Sequence, residues 1–96
     1  MIRKHVVKSL RNLAKHLDET SIDSEWYLFG STDRNATNAS DVDLMILCKD
    51  DMQADTLRKA IDPDIFLTPI HLSILTYAEA TEVDAVKVQM ASKIYP

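Results

Sequence analysis

Asp41 and Asp43 stand two residues apart at the head of an apolar run that ends at Cys48. On an extended strand that spacing sends both carboxylates out of one face. Two acids held so closely repel each other unless a cation lies between them. Mg²⁺ suits the pair, because it takes hard oxygen ligands, often one or two carboxylates, and completes its shell with water and phosphate oxygens. Such a cation bridges a polyphosphate and neutralises charge that builds up when an oxygen attacks phosphorus. Upstream, Gly30 is the only glycine of the 96 residues, where ordinary usage would supply about seven. A backbone that passes close to a ligand, or takes φ > 0, needs the absent Cβ. Ser31 beside it offers a hydroxyl and a backbone N–H, the donors a phosphate wants, and Arg34 offers a cation to steady outer negative charge.

Each of these parts has a plainer reading. Asp41 and Asp43 could be solvated acids at a strand edge, Gly30 an ordinary strand-to-loop turn, and Arg34 a loop cation. The conjunction favours chemistry: nine residues separate a lone glycine and its serine from the acid pair, and an apolar strand flanks each.

The elements that must position these groups are read from periodicity. Ile2, Val6, Leu10, Leu13 and Leu17 recur every three or four residues and predict an amphipathic helix. Asp18 to Ser24 is polar, and Trp26 to Phe29 then predicts a strand that delivers Gly30 to a turn. Residues 31–40 are small or polar apart from Arg34 and predict a surface loop. Val42 to Cys48 predicts a second strand, buried on both faces beyond Asp43. Asp50 with Gln53 resembles a capping box, opening a short helix through Met52, Ala54, Leu57, Ala60 and Ile61 to a break at Pro63. Ile65 to Leu75 contains a third strand, with Ile70, Leu72 and Ile74 alternating with His71 and Ser73. Thr76 with Glu79 is a second capping-box signature, and Ala80, Val83, Val86 and Met90 carry a final helix toward Pro96.

Composition bounds the function. An apolar fraction of 46% and a charged fraction of 27% are those of an ordinary globular domain. The net charge of -4 argues against a nucleic-acid-coating role, which needs clustered Lys and Arg. Arg3, Lys4, Lys8, Arg11 and Lys15 form the solvated side of the first helix, or a docking face for an acidic partner. His5 and His16 lie among the same polar positions. Cys48, the one cysteine, has no disulfide partner within the chain and reads as a small buried hydrophobe. No segment has the roughly 18 apolar residues that span a bilayer, and the N-terminal stretch lacks the apolar core of a secretion signal, so a cytoplasmic protein with no membrane partner is expected.

The pattern Gly30-Ser31, nine residues, then Asp41-Val42-Asp43-Leu44 resembles the polymerase-β-like nucleotidyltransferases. It is most similar to the minimal nucleotidyltransferases of bacteria and archaea, over roughly residues 2 to 76. Those proteins bring two arginines and a glycine after Gly-Ser. Here Thr32 stands at the first arginine, Arg34 at the second and Asn35 at the glycine, and asparagine tolerates the left-handed region better than most residues. The resemblance implies an α+β fold in one domain spanning residues 1–96: a mixed sheet of three or more strands covered by helices, in the order helix, strand, strand, helix, strand, helix. It implies catalytic and metal-binding roles for Asp41 and Asp43, nucleotide binding by Gly30, Ser31 and Arg34, and Mg²⁺ and a nucleoside triphosphate, ATP foremost, as cofactors. The implied reaction moves a nucleoside monophosphate to an acceptor and releases pyrophosphate. A chain this small leaves little room for an acceptor pocket, so a partner protein or a homo-oligomer is expected to supply it. In related small proteins that partner is often a helical protein encoded alongside, in toxin–antitoxin fashion.

One departure bears on turnover. The family places a third carboxylate on a later strand facing the acid pair, and the polar residues of that strand here are His71 and Ser73. A neutral imidazole ligates a metal or accepts a proton but brings no negative charge, so His71 is a secondary candidate. Asp62, Asp64 and Glu79 flank the strand without being placed on it by alternation. The alternative expectation is a degenerate nucleotidyltransferase-like protein, antitoxin-like or regulatory, that binds nucleotide or a partner without turnover.

Overall fold

The computed structural model describes residues 3–34, 41–62 and 69–96, apart from the side chains of Asp18, Ser31 and Thr32. In chain order the elements are α1 (Arg3–His16), α2 (Asp18–Ser21), β1 (Glu25–Phe29), α3 (Gly30–Asp33), β2 (Val42–Cys48), α4 (Asp51–Ala60), β3 (Ile70–Thr76), α5 (Tyr77–Glu82), α6 (Ala85–Val88) and β4 (Ser92–Tyr95). The strands form one mixed sheet in the order β3-β2-β1-β4. β1 runs antiparallel to β2 and to β4, and β2 runs parallel to β3. Fold class is thus α+β with a mixed sheet, as the sequence implies.

Strand alternation splits the core between the two faces of the sheet. Leu44, Ile46 and Cys48 of β2 join Trp26 and Leu28 of β1 and Ile94 of β4 on one face, under Val7, Leu10 and Ala14 of α1 and Ala54 and Leu57 of α4. Met45 and Leu47 of β2 point the other way, into a smaller cluster with Ala80, Ala85, Tyr27 and Phe29. The heptapeptide of β2 is therefore buried at every position except Asp43, which is half-buried. Double-sided burial of that kind fixes strand register, since a one-residue slip would exchange the two sets.

Polar groups lock the connections. Gln53, buried at 7% exposure, donates through Nε2 to the carbonyls of Thr20 (3.1 Å) and Ile22 (2.7 Å) and accepts from the Lys49 N–H at 2.9 Å. Only half of the first expected capping box forms: the Asp50 carboxylate accepts from the Gln53 N–H at 2.8 Å, while the Gln53 side chain is drawn to Lys49 and the α2 turn. The second box is complete, with Thr76 Oγ1 accepting from the Glu79 N–H and Glu79 accepting from the Thr76 N–H.

Several expectations are corrected. The polar stretch after α1 holds a helical turn, α2, set off by Leu17. The buried positions of α1 are Val7, Leu10 and Ala14, with Val6, Leu13 and Leu17 of the expected stripe only partly buried against the same core. Ile2 lies outside the described residues, as do Pro63, Asp64, Ile65 and residues 35–40 of the expected loop. Met52 is 78% exposed rather than part of the core face of α4. The last helix does not run on: Asp84 and Met90 take positive φ (52° each), which ends α5, then α6, and turns the chain into β4. That fourth strand breaks the expected element order, and it pairs with β1 on the side away from β2.

Candidate functional site

Register brings the acid pair, the glycine corner and His71 to one end of the sheet. Phe29 lies opposite Asp43 across β1 and β2, and Asp43 lies opposite His71 across β2 and β3. The next residue after Phe29 is Gly30, so the corner is delivered beside Asp43 by one residue of chain. Gly30 has φ +75°, and a Cβ built on it would sit 2.1 Å from Asp43 Oδ2. Two independent constraints therefore demand glycine there: a left-handed backbone and a carboxylate packed where the side chain would be. The expected surface loop begins instead as the single helical turn α3, closed by the Arg34 N–H donating to the Gly30 carbonyl at 3.2 Å.

Asp33 anchors that turn, and sequence reading passed it over. Its Oδ1 accepts from Arg3 Nε at 3.1 Å and its Oδ2 accepts from Ser92 Oγ at 2.8 Å, with the carboxyl side chain only 9% exposed. The turn after Gly30 is thus tied at once to the first turn of α1 and to the first residue of β4. Nothing in the sequence links Arg3, Asp33 and Ser92, which lie far apart in the chain. Arg3 is accordingly not just part of a solvated face, and neither is Arg11, whose Nε donates to the Ile94 carbonyl at 2.6 Å.

Asp41 precedes β2 and meets His71 rather than open solvent: His71 Nε2 lies 3.2 Å from Asp41 Oδ2, with side chains 62% and 46% exposed. Exposure of that order keeps the pair weak, since water screens it. Arg34 is exposed just past α3, while the side chain of Ser31 lies outside the described residues.

Several other titratable groups among the described residues lie away from this corner. Glu79 sits past the far end of β3, its carboxyl held below the ordinary range chiefly by the Thr76 N–H it accepts from, so it does not serve as the third acid at His71. Asp62 lies exposed beyond the end of α4. Burial, and then the 2.7 Å hydrogen bond it donates to Glu25, push Tyr27 up to about 12, so it stays protonated at neutral pH. Burial likewise pushes the Cys48 thiol up, as suits a core residue.

Among the described residues at this end of the sheet, Asp41 and Asp43 are the carboxylates that could hold a divalent cation. Their oxygens are the hard donors Mg²⁺ takes, and the missing Cβ at Gly30 is what lets the Asp43 carboxylate lie against the corner. Among the described residues no three His, Cys, Asp or Glu side chains form a group that could hold a metal ion unaided. The arrangement fits a cation whose remaining ligands come with a polyphosphate and water, not a closed structural metal site.

No curated protein matches the chain. A family model described as a nucleotidyltransferase domain matches residues 7–95. That span runs from α1 to β4, so it takes in the fourth strand as well as the stretch carrying Gly30, Asp41 and Asp43. Sheet, glycine corner and acid pair thus come together within one matched unit, and the chain belongs to the nucleotidyltransferase domain family.

Proposed function

We propose that the protein is an Mg²⁺-dependent enzyme that moves a nucleoside monophosphate from a nucleoside triphosphate, ATP foremost, to an acceptor presented by a partner. The observation that carries this reading is the packing of Asp43 against Gly30. It puts one acid of the pair directly on the turn whose backbone would receive the triphosphate. When bound, the cation supplies charge neutralisation at the phosphorus under attack. Asp41 and Asp43 would hold the cation, the Gly30 backbone and Ser31 would grip the phosphates, and Arg34 would steady their outer charge. Pyrophosphate leaves as the acceptor oxygen bonds to the α-phosphorus. A cytoplasmic setting, where nucleoside triphosphates are plentiful, and a helical toxin–antitoxin partner belong to the same reading.

A second reading is favoured by the pair that His71 makes with Asp41. An imidazole where the family has a third acid leaves no carboxylate there to take the acceptor's proton, as in a protein that binds nucleotide or a partner without turnover.

Incubation with Mg²⁺ and each triphosphate labelled at the α-phosphate, alone and with candidate partners, separates the two. The first reading predicts label transfer that disappears in the Asp41→Ala/Asp43→Ala variant. Metal-dependent nucleotide binding without transfer selects the second. Absence of both overturns each of them.

A further inference from the structure

The sheet has two edges of unlike character. β4 is a guarded edge: four residues long, with a register shift against β1 between Trp26 and Tyr27, a Lys93 on it, and Pro96, which has no N–H, directly after it. Short length, irregular pairing, lysine and proline are the devices that keep edge strands from recruiting another strand. β3 has none of them. It pairs with β2 in unbroken register over all seven residues, and its sequence Ile-His-Leu-Ser-Ile-Leu-Thr contains no proline, glycine, lysine or acid. Among the described residues, no strand pairs with its outer side.

Burial points the same way. Across one row of the core face, Leu44 of β2 is fully buried, whereas its neighbour Leu72 on β3 is only half-buried, and so are Ile70 and Ile74. Among the described residues the apolar row of the core face is thus less well covered at β3 than at β2.

We propose that β3 is the interface for a second copy of this chain, joined antiparallel edge to edge so that two four-stranded sheets become one. A second copy fits because the strand is complementary to itself. A two-fold axis normal to the sheet through Ser73 sets Leu72 against the partner's Ile74, Ile70 against the partner's Thr76, and His71 against the partner's Leu75. On the core side Leu72 meets the partner's Ile74, and no like charges face each other. Two strands of this length bury less than the roughly 1,000 Å² typical of a stable interface, so the dimer forms in a concentration-dependent way.

Such an axis keeps equivalent faces on the same side. The Asp41–His71 corner of each copy then opens toward the same surface, with His71 two residues, about 7 Å, along the strand from the axis. On the proposed function, the two sites would then open on one face of the joined sheet. The pairing itself does not depend on that chemistry.

Sedimentation equilibrium of the full chain, from micromolar to millimolar concentration, tests the pairing. The mass is expected to climb from 10.9 kDa toward twice that value. Ser73→Lys, a change at an exposed side chain that sets two ammonium groups about the axis, is expected to keep its far-ultraviolet circular dichroism and stay at 10.9 kDa throughout. Ser73→Cys is expected to give a disulfide-linked dimer on oxidation, while the wild type, with Cys48 buried, gives none. A wild-type chain that stays monomeric throughout, or a dimer that persists in Ser73→Lys, overturns the proposal. A dimer without nucleotide binding would sink the proposed function alone, and a monomer that binds nucleotide with Mg²⁺ would sink the pairing alone.

Discussion

At the scale of the residue, the site is defined by what cannot be changed. Gly30 carries both a φ of +75° and an Asp43 oxygen in the place of a side chain. Gly30→Ala must therefore strain the backbone and displace the carboxylate together. The expected cost is about 2 kcal/mol or more, a fall in Tm of roughly 10 °C for a domain of this size, and calorimetry would show it. A variant with wild-type Tm would mean that Asp43 does not lie on the corner. His71 poses the converse question. His71→Asp would put a second carboxylate beside Asp41, and Mn²⁺ affinity, read by electron paramagnetic resonance titration, is expected to rise roughly tenfold. Unchanged or weaker binding would show that this position does not face the cation.

At the scale of the element, the Thr76–Glu79 capping box starts the helix that follows β3. Glu79 has a folded-state pKa below its ordinary value of 4.5, because the Thr76 N–H and hydroxyl favour the carboxylate. The cap therefore adds its full stability above the ordinary glutamate range and loses it as pH falls below about 4.5 and through the lowered value. Glu79→Gln keeps an oxygen for the Thr76 N–H but removes the titration. Urea unfolding between neutral pH and pH values well below 4.5 is expected to show a shallower acid decline for Glu79→Gln than for the wild type; parallel declines would contradict the assigned cap. Thr76 and Glu79 were legible in the sequence because a capping box is a local signal, written within four consecutive residues. Gln53 was only half legible, since two of its partners, Thr20 and Ile22, lie on another element.

At the scale of the whole molecule, the same division holds. The strands carrying the acids could be read because alternation, a lone glycine and apolar runs are written in consecutive residues. β4 could not, because Ala80, Val83, Val86 and Met90 keep a helical period straight through the left-handed residues Asp84 and Met90 that stop the helices. The tie that holds the glycine turn was equally hidden: Arg3, Asp33 and Ser92 meet only once α1, α3 and β4 are packed on the same sheet. Family membership rests on the whole of that assembly, whereas the chemistry rests on one end of it. The most direct trial of that chemistry is a crystal of the protein soaked with Mn²⁺ and a non-hydrolysable nucleoside triphosphate, with the metal located by its anomalous scattering. One Mn²⁺ bridging Asp41 and Asp43, with the triphosphate seated on the turn that begins at Gly30, is the expected result. Manganese bound elsewhere, or a triphosphate that avoids that turn, would contradict it.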